Sequence, residues 1–189
     1  MTEREKMLAG QLYRASDPEL SAMARRARDL VFRYNHLPPA QEDTARALLD
    51  ELFGSLGAGG VLVPPFHCDY GTHIHAGDNF YMNSGGVILD VCEVRIGHGV
   101  MCGPGVHLYT ATHPLDPAVR ASGLENGAPI AIGDNVWLGG GVIVCPGVTI
   151  GRDTVVGAGA IVTRDLPAGV LAAGNPARVL RPIASSGPS

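Results

Sequence analysis

Ile132, Leu138, Val144, Ile150, Val156 and Val162 stand six residues apart, and each is followed four places on by a small or aliphatic residue: Val136, Val142, Val148, Thr154, Ala160 and Leu166. This is neither the 3.6-residue period of a helix nor the alternation of a plain strand. A fixed period of six predicts a parallel β-helix, with one short strand and one turn per hexad and a continuous aliphatic column inside the stacked coils. Gly133, Gly139, Gly151 and Gly157 follow the leading apolar residue. There the backbone is expected to bend in a way a Cβ would oppose. The period recurs in weaker form at Leu62, Cys68, Ile74, Phe80, Gly86 and Cys92. It then slips by two and resumes at Ile96, Cys102 and Leu108.

Residues 1–57 follow a helical pattern instead. Thr2 to Leu8 reads as a short helix closed by Gly10. Ser16 or Asp17 can cap a second helix that starts at Pro18. Leu20, Met23, Ala24, Ala27, Leu30, Val31 and Tyr34 keep its apolar face, and Pro38-Pro39 ends it. A third helix is predicted over roughly Gln41 to Leu56. The expected plan is therefore a helical segment at 1–57 and a β-helix at 58–184. A Pro/Gly-rich inserted loop at 114–131 projects from that body, and a disordered tail at 185–189 follows.

Net charge is −4, so an anionic partner such as nucleic acid or a membrane surface is not expected. The four Cys show no CxxC spacing and read as small core residues. The start MTEREKML has no apolar leader stretch, and no run is long enough for a membrane span, which makes a cytoplasmic location the expectation.

The early coils carry His67, Asp69, Tyr70, His73, His75, Asn79, Tyr81, Asn83 and Asp90, more polar side chains than a purely structural solenoid needs. His113 stands where the last coil before the loop gives way to it. An imidazole at such a junction can take a proton from a hydroxyl near neutral pH. From position alone, a surface His at a loop mouth is the other reading. His73-x-His75 would point two rings to one side of a strand, but no triad spacing for a metal is evident, so no metal is expected.

The chain resembles the hexapeptide-repeat O-acetyltransferases of the maltose and galactoside type. The matching segments are Glu5 to Tyr13, Phe66 to Gly71, Asn79 to Asn83, Tyr109 to Asp116, Ile132 to Gly140 and Gly174 to Arg178. The N-terminal segment and Thr110 to Pro117 look most like the maltose branch. The galactoside branch has a carboxylate where Val91 stands here, which again favours the maltose branch. The resemblance implies a left-handed β-helix assembled as a homotrimer with active sites between subunits, and direct transfer of acetyl from acetyl-CoA to a sugar hydroxyl.

It places His113 on the general base and Asn83 on the residue that supports the transition state, although an Asn in a β-helix turn ladder explains itself equally well. Asp69, Tyr81 and Asn83 fall at the acceptor; Glu125 falls close to His113, where it either orients that residue or meets the sugar, a solvated loop carboxylate being the other reading, while Asp17 reads either as an acceptor contact or as a helix cap. Gly140, Ala158, Thr163, Arg164, Arg178 and Trp137 fall along the CoA groove, with Arg181 as a weaker candidate and packing between subunits as the other reading of Trp137. The alternatives are an acyltransferase acting on a non-sugar acceptor and a non-catalytic trimeric scaffold.

Overall fold

The computed structural model describes residues 1–184, and the tail expected at 185–189 lies outside the described residues. The body is a left-handed parallel β-helix of about six turns. Its cross-section is a triangle. Face one stacks Ser55–Leu56, Ile74–Ala76, Val94–Ile96, Ile130–Ile132 and Thr149–Ile150. Face two stacks Val61–Leu62, Tyr81–Met82, Met101–Cys102, Trp137–Leu138, Val155–Val156 and Val170–Ala173, and is closed by the antiparallel strand Arg178–Pro182. Face three stacks Phe66–Cys68, Gly86–Leu89, His107–Tyr109, Ile143–Val144 and Ile161–Val162.

The column predicted from the hexads is inside. Leu138, Val144 and Val156 are fully buried and Ile150 nearly so, with Val136, Val142 and Ala160 beside them. Each such Val, Leu or Ile contributes about 1.5–3 kcal/mol by leaving water. Backbone N–H groups of one coil donate to carbonyls of the next, as from Trp137 to Thr154 and from Gly139 to Val156.

Two expectations are corrected in detail. Gly133, Gly139 and Gly151 are needed for close approach between coils. A Cβ there would come within 2.6, 2.6 and 2.4 Å of a backbone nitrogen of the next coil. The bend itself lies two residues on, where Asn135, Gly141, Asp153 and Gly159 take positive φ.

The slip of two is not a single event. Strands on one face pair 20 residues apart in the early coils, as Leu62 with Met82 and Met82 with Cys102. In the later coils they pair 18 apart, as Leu138 with Val156. The two extra residues sit at the corner between faces three and one in each early coil. Cys92 falls in that corner, outside the main column, and packs with Met7, Tyr13, Leu20, Tyr70 and Val91.

The N-terminal helices are α1 (Glu3–Leu8), α2 (Pro18–Asn35) and α3 (Glu42–Leu52). The third ends four residues earlier than predicted, because Ser55–Leu56 pairs with Ile74–Ala76 and opens face one. α2 and α3 share the main core: Leu30, Val31, Tyr34, Leu48, Leu49 and Leu52 pack in the same cluster as Phe66 and Ile74. Tyr34 donates to the Leu62 carbonyl, and Arg46 donates to the Leu56 and Gly57 carbonyls at 2.8 and 2.9 Å. These helices cover the first coil, while α1 lies along the widened corner.

Candidate active site

The widened corner between faces three and one stacks Asp69–His73 over Asp90–Glu93 over Thr110. Asp90 organises it. Its carboxylate is fully buried and accepts from the backbone N–H of Asp69 (3.0 Å), Tyr70 (2.9 Å) and His73 (3.3 Å). Burial nevertheless pushes the Asp90 carboxyl up to about 6, against the pull of those bonds. His73 is buried behind it, with Nδ1 at 2.7 Å from the Asp90 carbonyl, and burial holds its imidazole below the usual range. His75 instead lies on face one beside Ser55, so the pair expected to point two rings to one side does not do so. Among the described residues, no three His, Cys, Asp or Glu side chains gather as metal ligands.

Asp69 lies on this corner. Burial, then the charges of Asp90 and Glu125, push its carboxyl up to about 6. Below it Thr110, also fully buried, accepts from the Cys92 N–H at 2.9 Å and donates to the Leu89 carbonyl at 2.6 Å.

The chain leaves the solenoid immediately after Thr110. The segment is a hairpin: Ala111–Thr112 pairs with Leu124–Gly127, and the Ala128 N–H closes on the Thr110 carbonyl at 2.9 Å. Its tip holds a short helix, α4 (Pro117–Ala121), capped by Asp116, a signal present in the sequence and not read there. Leu115 at the tip is 94% exposed. His113 directly follows the first hairpin strand and is exposed. A third strand, Tyr13–Arg14, pairs with Leu124–Gly127 and places Tyr13 opposite Glu125, with the phenol donating to the carboxylate at 3.1 Å.

The remaining candidates lie elsewhere. Asn83 is on the corner between faces two and three, where its Oδ1 accepts the Ser84 N–H at 2.8 Å. That bond assigns the oxygen and leaves the amide NH2 available. Gly140 and Ala158 occupy the same corner further along, and Trp137 and Tyr81 stand on face two in one exposed row with Met101. Thr163 and Arg164 sit on the corner between faces three and one. Ala158 and Thr163 are five residues apart, so at most roughly 17 Å of chain separates the two corners there. Arg178 pairs with Ala173 in the closing strand, which also carries Arg181. Asp17 caps α2 through bonds to the Glu19 and Leu20 N–H groups. One chain therefore collects His113, Asp69 and Glu125 about one edge of face three, and Asn83, Gly140 and Ala158 along the other.

The chain and its fold have counterparts among known proteins. Residues 6–57 match the maltose acetyltransferase hexapeptide capping motif and residues 129–164 match six bacterial transferase hexapeptides. The galactoside O-acetyltransferase of Escherichia coli is 39% identical, over 97% of this chain and 90% of its own. The chain belongs to the maltose/galactoside O-acetyltransferase family of hexapeptide-repeat proteins. The crystal structure of a maltose O-acetyltransferase from Clostridium difficile superposes with a TM-score of 0.97 at 45% identity, covering 98% of this chain and 99% of that one. A hexapeptide-repeat acetyltransferase of Vibrio cholerae, solved with acetyl coenzyme A, superposes at 0.91 with 39% identity, covering 98% and 100%. In this hexapeptide acetyltransferase, sequence reasoning gave no role to Asp90, Thr110 or Tyr13. Their importance lies in buried bonds between segments far apart in the chain, which no local pattern records.

Proposed function

We propose that this acetyltransferase uses acetyl-CoA to acetylate a hydroxyl of a maltose- or glucose-like sugar, in a site that two chains of a homotrimer complete. The observation that carries the reading is the split of the candidate residues between the two edges of face three. A site that needs both His113 and Asn83 forms when the hairpin edge of one copy meets the Asn83 edge of the next. A closed ring of heterologous contacts of this kind gives three equal sites. The outward side of face three offers Val87, Leu89, Ile143 and Ile161 to such a contact, beside the polar His67, His107 and Tyr109. Face one turns Ser55, His75, Arg95, Ala131 and Thr149 outward and is the more polar of the two.

In such a site the sugar hydroxyl, held by Asp69 and Glu125, lies between His113 and the thioester. His113 takes the hydroxyl proton as the oxygen attacks the acetyl carbonyl. The Asn83 amide donates to the oxygen that becomes negative. The tetrahedral intermediate collapses by breaking the C–S bond, and the leaving thiolate takes the proton from the imidazolium, giving CoA and the acetyl ester. General-base help of this kind is worth about 10²- to 10⁴-fold, and one oxyanion donor about 10²- to 10³-fold. CoA runs along the groove past Gly140 and Ala158, where no side chain blocks its approach to the backbone. Trp137 flanks its thioester end, and Thr163, Arg164 and Arg178 hold its phosphates, the Arg side chains by forked contacts.

Subunit mixing tests the shared site. Each of His113→Ala and Asn83→Ala alone should lose acetyl transfer to an active sugar found in an acceptor panel. Trimers reassembled from an equal mixture should regain about a quarter of wild-type activity, because one site in four then has both residues. A mixture as inactive as its parents would overturn the two-chain site, and a panel in which no sugar stimulates CoA release would overturn the sugar acceptor.

A further inference from the structure

We propose that Tyr13 is a positioning residue for the acceptor site, through which the N-terminal segment sets the Glu125 carboxylate against Asp69. The inference rests on the reading of Glu125 as an acceptor contact and adds to it the device that holds it there.

The hairpin has two attachments to the rest of the chain. One is its root, where the Thr110 carbonyl takes the Ala128 N–H. The other is the strand Tyr13–Arg14, which runs antiparallel to Leu124–Gly127 and turns the hairpin into a three-stranded sheet. Tyr13 faces Glu125 in that register, so both side chains project to the same side. The ring is 1% exposed and packs in a small core of its own with Met7, Leu20, Tyr70, Val91 and Cys92. That core sits against the widened corner, because Tyr70, Val91 and Cys92 belong to it. The phenol is thus fixed to the solenoid, and its hydroxyl donates to Glu125 at 3.1 Å.

Burial, then the charges of Asp90 and Glu125, push up the Asp69 carboxyl, and burial ahead of the charges of Asp69 and Glu125 raises the Tyr13 and Tyr70 phenols. Two partly buried carboxylates repel, and a free Glu125 side chain on a hairpin strand would swing to water. The donor from Tyr13 keeps it facing the corner. Arg14 adds to the clamp without touching the site: its Nη1 donates to the Ser122 carbonyl at 3.4 Å, and its backbone N–H donates to Glu3 of α1 at 2.6 Å.

The test is a double-mutant cycle on acceptor kcat/KM in the intact protein. Tyr13→Phe keeps the ring in its core and removes only the hydroxyl. We expect a fall of several-fold in acceptor kcat/KM, carried by acceptor KM, with acetyl-CoA KM within about twofold of wild type. Glu125→Ala should fall further, and the double variant should match Glu125→Ala alone. A purely structural Tyr13 would lower the unfolding temperature and leave acceptor KM in place, or would multiply with Glu125→Ala. Either result overturns the proposal. If Glu125→Ala itself leaves acceptor kinetics unchanged, the acceptor role of Glu125 fails first, and Tyr13 has nothing to position.

Discussion

Asp90→Asn is the substitution whose effect should change most with pH. Wild-type Asp90 holds a carboxylate in full burial with backbone N–H donors and, at 3.9 Å, only the His73 imidazole, whose protonation burial disfavours, and burial pushes its own pKa up to about 6 from an ordinary 3.8. That displacement corresponds to about 3 kcal/mol disfavouring the ionised form. The folded state binds the proton more tightly than the unfolded chain does. The associated stability is therefore full below 3.8 and is lost as pH rises through 6. The amide is blind to this. It keeps one oxygen for the Asp69 and Tyr70 N–H groups and turns its NH2 toward the His73 N–H. That leaves the donor unpaired at a cost of about 1–3 kcal/mol.

At pH 8 the lost bond and the relieved charge nearly cancel, and the two proteins should unfold at similar temperatures. At pH 4.5 wild type has regained about 2 kcal/mol and should lead by about 4–8 °C. Loss of the Asp90 charge also lets the Asp69 pKa fall, which widens the gap in the same direction. Thermal unfolding followed by circular dichroism, at one protomer concentration throughout, measures it. A gap equal at both pH values, or one larger at pH 8, would refute the reasoning.

Thr110→Val removes a hydroxyl with two bonds but orphans only one group, because the Leu89 carbonyl keeps the Thr110 N–H at 3.0 Å while the Cys92 N–H loses its acceptor. It should cost about 1–3 kcal/mol, or about 2–12 °C in unfolding temperature, and Thr110→Ser should cost clearly less. In its proposed role at the acceptor, Asp69 binds a sugar hydroxyl more strongly as the carboxylate than as the neutral acid, so acceptor KM should rise as pH falls through about 6. In Asp69→Asn, acceptor KM should be high and flat over the same range. Steady-state kinetics from pH 5 to 8 check both.

The regular coils were legible because burial repeats with the backbone: Ile132 to Val162 face one column, and each contributes the same signal. The early coils were harder, since two extra residues per turn at one corner shift the phase that a fixed six-residue rule assumes. The rule placed Cys92 in the main column, whereas it packs under α1. α2 was readable from Asp17-Pro18 and its apolar stripe. The overrun of α3 came from Leu56, apolar at a helical spacing yet paired in face one.

At the candidate site, the sequence pointed to the interruption at His113. It did not show that the interruption is a hairpin clamped by a two-residue strand more than a hundred residues from the strand it pairs with, because two residues carry too short a pattern to read. Nor did it show that Asn83 and His113 belong to different edges of one face. That follows only once the coils are counted as 20 residues rather than 18.

The role of His113 is tested most directly by acetyl-CoA-dependent acetylation of a sugar acceptor by wild type and His113→Ala, with acetyl-CoA binding measured on both. His113 is exposed and, among the described residues, no side-chain hydrogen bond ties it to the fold, so the variant should remain folded and bind acetyl-CoA within about twofold of wild type, while kcat falls by about 10²- to 10⁴-fold. Wild-type turnover in His113→Ala would contradict a general base at this position.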